Sequence, residues 1–334
     1  MGKSERLVEV WRGDILESQH HGHAVICNAK GEIVDAWGDP DQVILPRSSA
    51  KMLQALPLVE SGAADAAGLT TEQLALSCAS HQGAAIHTDR VSRWLADMGL
   101  SNDDLRCGPQ WPADTPAKVG LIKTDASPCR IHNNCSGKHA GFLTLSRHMG
   151  VSDPEYVAVD HPIQVAIKQV FEEVTGEVSP GYGIDGCSAP NHASTLLGMG
   201  RAMAGFASAK EGGDTRQKAS ARLREAMMLH PELVAGETRA CTELMRTAPG
   251  KVALKTGAEA FFVAIIPELE MGVALKIEDG STRASECAIA AILVKLGVLD
   301  PAHPDVKKRL NPDVLNFAGL NTGFIRPSEA MLAV

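Results

Sequence analysis

Apolar and polar residues alternate in three stretches near the start of the chain, Arg6–Arg12, His23–Ala29 and Glu32–Gly38, separated by short polar or glycine-containing turns. This period of two predicts strands with one buried face, and the short turns predict an antiparallel meander. The pattern returns late, in Lys251–Gly257, Glu259–Pro267 and Met271–Glu278. Between the two groups the period lengthens. Apolar residues recur every three or four positions in 49–62, 85–100, 137–150, 161–176 and 215–230, and again in 282–299 after the last strands. That spacing predicts helices, several of which stop at glycine, the usual terminator. Strands at both ends with helices between them predict an α+β fold, an antiparallel sheet flanked by helices with a helical lobe. The expected organisation is one domain, 1–334, with a sheet lobe from about 1–45 and 250–334 and a helical, loop-rich lobe from about 46–249.

Composition narrows the function. With 334 residues and 44% hydrophobic content, the chain can bury a large core. Its net charge of -8 and lack of a basic run argue against nucleic acid and anionic membranes as partners. The charged N-terminal stretch, MGKSERLVEVWRGD, reads as neither an export signal nor a membrane span. A cytoplasmic location is therefore expected, with the eight cysteines as reduced thiols.

Five stretches are too polar and too dense in reactive side chains for ordinary connections: PRSSAK, SCASHQG, HNNCSGKHAGF, GYGIDGCSAPNH and KTGAE. In the first, Ser48 precedes Lys51 by three residues where a helix begins. On a helix these positions share a face, so a hydroxyl and an amine could meet; alternatively Ser48 or Ser49 caps the helix. Lys255 opens a later K-T-G at the end of a strand-like run. S-x-x-K followed by K-T-G is the pattern of serine acyl-transfer enzymes, with Ser80 of SCASHQG in the middle position. The chemistry requires a base beside the serine, because an unassisted hydroxyl is a poor nucleophile. Cys135, Lys138, His139, Asp185 and Cys187 fall in two glycine-rich loops. Their spacing matches no standard zinc motif, so pattern alone leaves a metal site and buried thiols both open.

Taken together, PRSSAKMLQALPLVESGAAD, SCASHQG, HNNCSGKHAGFL, GYGIDGCSAPNHA and KTGAEAFF resemble the asparaginase II family, the rhizobial or class 3 type of L-asparaginase. The resemblance runs nearly the length of the chain. It implies a serine β-lactamase/glutaminase-like fold, a homodimer, and hydrolysis of L-asparagine to L-aspartate and ammonia. By the family pattern Ser48 matches the nucleophile and Lys51 its partner, while Ser80 and Lys255 match a second serine-lysine pair. Cys135, Lys138 and Cys187 match a zinc site, one ion per chain, expected to tune substrate binding without being essential for turnover. Arg47, His139 and Asp185 are the expected substrate-binding groups, on their placement beside these residues.

Three readings compete. A serine amidohydrolase acting on L-asparagine uses every polar cluster, with glutaminase as its nearest rival. A zinc-dependent amidohydrolase would use Cys135, Cys187 and a histidine such as His139, yet the chain has no H-E-x-x-H. A non-catalytic amino-acid binding protein has no use for two serine-lysine pairs.

Overall fold

The structure, a computed structural model, describes residues 2–151 and 154–332, which divide into two compact units. The first comprises the chain up to Ser49, Ser194–Ser208, and the chain from Glu243 onward. It holds the sheet: β1 (Glu5–Arg12), β2 (Ile15–Cys27), β3 (Ile33–Trp37), β4 (Ala253–Thr256), β5 (Phe261–Ile266), β6 (Met271–Ile277), β7 (Asp313–Leu315) and β8 (Asn321–Pro327). The spatial order is β7-β8-β1-β2-β6-β5-β4, with β3 also paired to β2, and each pairing is antiparallel. The fold is α+β, as the periodicity predicts.

Two details depart from the pattern. The polar stretch before His23 reads as a turn, yet β2 runs unbroken through it. Residues 15–22 pair with β1 and 22–27 with β6, so backbone bonding on different neighbours carries the strand across a polar segment. The hairpin β7–β8 gave no strand pattern, because β7 is only three residues long and the turn that follows it is exposed and rich in Asn and Gly, although β8 itself buries alternate positions. The predicted late strands are found. β5, Phe261–Ile266, is buried at every position, which explains its continuous apolar run.

The helix Leu196–Ser208 packs on β2 and β6, and small residues set its distance. A Cβ on Gly272 would lie 2.1 Å from Ala204 N, and one on Gly200 would lie 2.9 Å from Cys27 Sγ. A second helix, Thr282–Lys295, packs on β1, β5, β6 and β8.

The second unit, Ala50–Ala193 with Ala209–Thr242, is helical. Its centre is the helix Lys51–Glu60, buried from Lys51 to Val59 and packed against helices Ser136–His148, Pro162–Thr175 and Thr215–Leu229. Helix Ser136–His148 is buried from Ser136 to Ser146. Gly137 lets it approach the helix Thr71–Ser77, since a Cβ there would lie 2.5 Å from the Leu76 carbonyl oxygen. A helix buried on nearly all sides carries its polar side chains into the interior. That is how Lys51, Lys138 and His139 come to lie inside the unit. Among the described residues no helix is long and apolar enough to cross a membrane.

Candidate active site

Each unit holds one serine and one lysine of the expected four. In the first, residues 47–50 form a single 3-10 turn, with Arg47 half-buried in the left-handed region at φ 52°. Ser49, fully buried, donates its hydroxyl to the Lys255 carbonyl at 3.0 Å and lies 3.3 Å from that of Phe261. Gly257 permits this contact: a Cβ there would sit 2.7 Å from the Pro46 carbonyl oxygen and 2.9 Å from Ser49 Oγ. The glycine of K-T-G is therefore required by close approach, and it brings the Ser48–Ser49 turn to the end of β4. Lys255 is buried on that strand, its amine donating to the Thr256 carbonyl at 2.7 Å. Neither serine caps the helix that follows. Ala50 occupies the N-cap with no side-chain bond, because Ser49 is engaged by strand carbonyls and Ser48 lies within the preceding turn, half-buried.

In the second unit, Lys51 is 1% exposed. Its amine donates to the Ala79 carbonyl and, at 2.9 Å, to Ser80 Oγ. The Ser80 backbone is fixed by its N–H to the Val234 carbonyl at 2.9 Å. His81 completes the support. Its Nε2 lies 2.9 Å from Ser136 Oγ, its Nδ1 accepts from Gly83 N–H, and Ser136 in turn donates to the Ile131 carbonyl. This pattern requires a neutral ring protonated on Nε2. Burial, with the His87 ring stacked at 4.8 Å, holds its pKa well below the usual histidine range.

A second polar cluster lies in the same unit, close enough that the Lys51 charge is felt at Cys135 and His139. The turn Asp185–Ala189 joins two short strands, Tyr182–Ile184 and Pro190–His192, and presents Cys187. The Lys138 amine donates to Cys187 Sγ at 3.1 Å. The Cys135 thiol donates to Asn134 Oδ1 at 3.0 Å, and its interaction with Cys187 is the main cause that drives the Cys187 pKa well below the ordinary thiol range, against burial and with help from Lys138 and His139. Cys135 moves the opposite way, raised by the same interaction and by burial. Burial opposes the charge on Lys138, but the two thiols outweigh it and raise its pKa. Asp185 is half-buried, accepts from Gly186 N–H at 2.7 Å, and adds its charge to those acting on Lys138. His139 is fully buried, and its Nδ1 lies 2.8 Å from the Tyr156 hydroxyl. Its Nε2 makes no well-formed hydrogen bond, although the ring favours the Cys187 thiolate.

Cys135, Lys138, Cys187 and His139 are thus brought together, with Asp185 at their edge. The donor set suits a thiophilic metal: two sulfurs, one with its pKa lowered well below the thiol range, and an amine. Among the described residues no group of three or more His, Cys, Asp or Glu forms a metal site, so a metal here depends on lysine as a ligand. Several supporting residues were not anticipated. Gly257, His81 and Ser136 lie inside the polar stretches that stood out in the sequence, whereas Tyr156 lies in a stretch that gave no signal.

The family model for L-asparaginase II matches residues 8–327. The chain belongs to the L-asparaginase II family. This is a family of amidohydrolases, and the family resemblance read from the five polar stretches stands. No curated protein matches. Among solved structures, similar chains include Mglu in its tris and glutamate form, at 11% identity and TM-score 0.45, covering 90% of this chain and 63% of that one. Others are a β-lactamase-like protein from Bacteroides dorei DSM 17855, at 12% identity, TM-score 0.41 and 77% and 84% coverage, and the octameric penicillin-binding protein homologue from Pyrococcus abyssi, at 14%, 0.35, 86% and 75%. This chain therefore spans less than two thirds of the Mglu chain's length. At such TM-scores these likenesses carry no further argument.

Proposed function

We propose that this member of the L-asparaginase II family hydrolyses the side-chain amide of L-asparagine through an acyl-enzyme on Ser48. The observation that carries the reading is the buried Lys51 amine, 2.9 Å from Ser80 Oγ and three residues beyond Ser48, in a chain that matches the family from 8 to 327. Ser48 Oγ attacks the amide carbon and gives its proton to Lys51. The tetrahedral adduct collapses, the C–N bond breaks, and a proton passed through Ser80 reaches the departing ammonia. Lys255, the second lysine of the family pattern, belongs with Ser80 to the relay that passes this proton and later helps to activate water. Water then enters, loses a proton to the same relay, and cleaves the ester to release L-aspartate and the Ser48 hydroxyl.

Arg47 is proposed to pair with the substrate α-carboxylate, and Asp185 and His139 to orient its polar groups. Cys135, Lys138 and Cys187 would hold zinc, which supplies a positive charge able to attract a substrate carboxylate. The serine-lysine chemistry does not depend on it. A homodimer and a cytoplasmic location belong to the same proposal.

Ammonia release from L-asparagine and L-glutamine, measured side by side, tests the substrate. One extra methylene is worth about 1–3 kcal/mol in such discrimination, so a ten- to hundredfold preference for asparagine is expected. Mass spectrometry of quenched enzyme tests the intermediate. An aspartyl ester on the peptide containing Ser48 supports it; activity that vanishes on chelation and returns with zinc would favour a metal-dependent amidohydrolase instead.

A further inference from the structure

A cavity of about 230 Å³ opens in the helical unit away from the serine-lysine residues and is lined by Asp104, Arg106, Ser146, Arg147 and Tyr156 among others. Its floor is interior: Tyr156 is fully buried and Ser146 is 1% exposed. Its polar rim consists of two guanidiniums and one carboxylate.

Their existing bonds leave these charges unmatched. Arg106 Nη1 donates to the carbonyls of Asp103 and Leu105, at 2.9 and 3.3 Å, and Arg147 Nη1 to that of Met98. The Asp104 carboxylate accepts from Ser101 N–H and hydroxyl at 2.8 and 3.3 Å. Among the described residues neither guanidinium has an ion pair, although a guanidinium carries five N–H donors and favours bidentate carboxylate binding.

We infer that this cavity is a binding site for a small amino dicarboxylate. Two carboxylates and one ammonium are the charge complement of Arg106, Arg147 and Asp104. L-Aspartate has that composition and is small enough for the volume. It is also the product under the proposed activity, and its choice as the natural occupant rests on that reading.

The wall of the cavity leads to the thiol cluster. The Arg106 backbone N–H donates to the Tyr156 hydroxyl at 2.8 Å, and that hydroxyl lies 2.8 Å from His139 Nδ1. With its oxygen accepting from Arg106, Tyr156 donates its own proton to His139. A ligand that draws Arg106 toward itself therefore pulls on the tyrosine that orients His139. Aspartate bound here raises the KM for asparagine with little change in kcat.

The test is calorimetric titration of L-aspartate into the intact chain and into Arg106→Gln and Arg147→Gln, with circular dichroism as the check on folding. Arg147 is exposed, so its variant keeps the test valid should the Arg106 change disturb the loop. The expected result is one binding event that either substitution weakens at least about tenfold, together with loss of aspartate's effect on KM and an unchanged kcat without aspartate. L-Asparagine, which has one carboxylate fewer, should compete poorly for that event. Tyr156→Phe should retain the event but lose the change in KM. Aspartate binding that is identical in all the variants, or absent at about 10 mM, overturns the site. The arginine-dependent event is read without turnover, so an enzyme inactive on asparagine would count against the proposed function and leave this measurement standing.

Discussion

Lys51 and Lys138 are both buried in the helical unit, yet they face opposite chemistry. Lys51 donates to a backbone carbonyl and to the Ser80 hydroxyl. Lys138 donates to a thiol that its surroundings have made strongly acidic, and it is itself held more firmly protonated in return. An amine that faces a hydroxyl can exchange a proton with it; an amine that faces a thiolate is fixed as its counter-cation. Burial of a lysine thus does not define its role, and the acidity of its partner does.

The comparison breaks most sharply under substitution of Lys51. In the proposed mechanism Lys51→Met removes the base, and kcat should fall by about 10³–10⁴-fold, as should that of Ser48→Ala. Both variants should fold, since Ser48 makes no cap bond and methionine can fill most of the lysine's volume. Steady-state ammonia release and circular dichroism together check this. If either variant retained a tenth of the activity, the serine-lysine assignment would fail.

Lys138→Met should act differently. Removing the counter-cation leaves two thiols without their ammonium, so zinc uptake should fall below detection by elemental analysis, and the KM for asparagine should rise about tenfold. Turnover at saturation should survive within a few fold. A loss of kcat equal to that of Lys51→Met would erase the distinction between the two lysines and favour metal-dependent chemistry.

Proton release sharpens the same contrast. In the metal-free protein Cys187 has a depressed pKa, while those of Cys135 and Lys138 are raised. Zinc requires an unprotonated amine and two thiolates, so the protons that must leave come mainly from Cys135 and Lys138. About two should be released per ion, and zinc affinity should rise with pH by about a hundredfold per unit near neutrality and fall as pH drops. Calorimetry in buffers of different ionisation enthalpy counts them. Release of a single proton would show that Lys138 stays protonated and is not a ligand.

Periodicity carried much of this in advance, because helix and strand periods are local properties. The helices at 51–60, 136–148 and 282–295 and the strands 253–256, 261–266 and 271–277 all match predicted runs, the second helix starting one residue early. The polar stretches likewise contain nearly every residue of the two clusters. Partnership was less legible, since it depends on which loop reaches which helix. The Ser80 backbone is held by Val234 and the His81 backbone by Asn134, 154 and 53 positions along the chain, and no sequence period encodes such distances. Tyr156 illustrates the limit. A single tyrosine in an unremarkable stretch bonds both Arg106 and His139, and its importance lies only in where the chain returns.

The smallest expected effect separates neighbouring serines. Ser49 is fully buried and bonds the Lys255 carbonyl across the approach that Gly257 permits, whereas Ser48 is half-buried and is the nucleophile only in the proposed mechanism. Ser49→Ala deletes one buried hydroxyl and leaves the carbonyls of Lys255 and Phe261 with one donor fewer, which should cost about 1–2 kcal/mol of stability. Because the hydroxyl binds the backbone of Lys255 and not its amine, kcat should remain within about threefold of the parent. Denaturant midpoints and kcat measured on the same preparations check both halves. The opposite outcome, full stability with activity lost, would move the nucleophile from Ser48 to Ser49 and place Lys51 two residues from it instead of three. Neighbours two apart on a helix do not share a face, so that result would also remove the geometric reason for pairing Lys51 with the attacking serine.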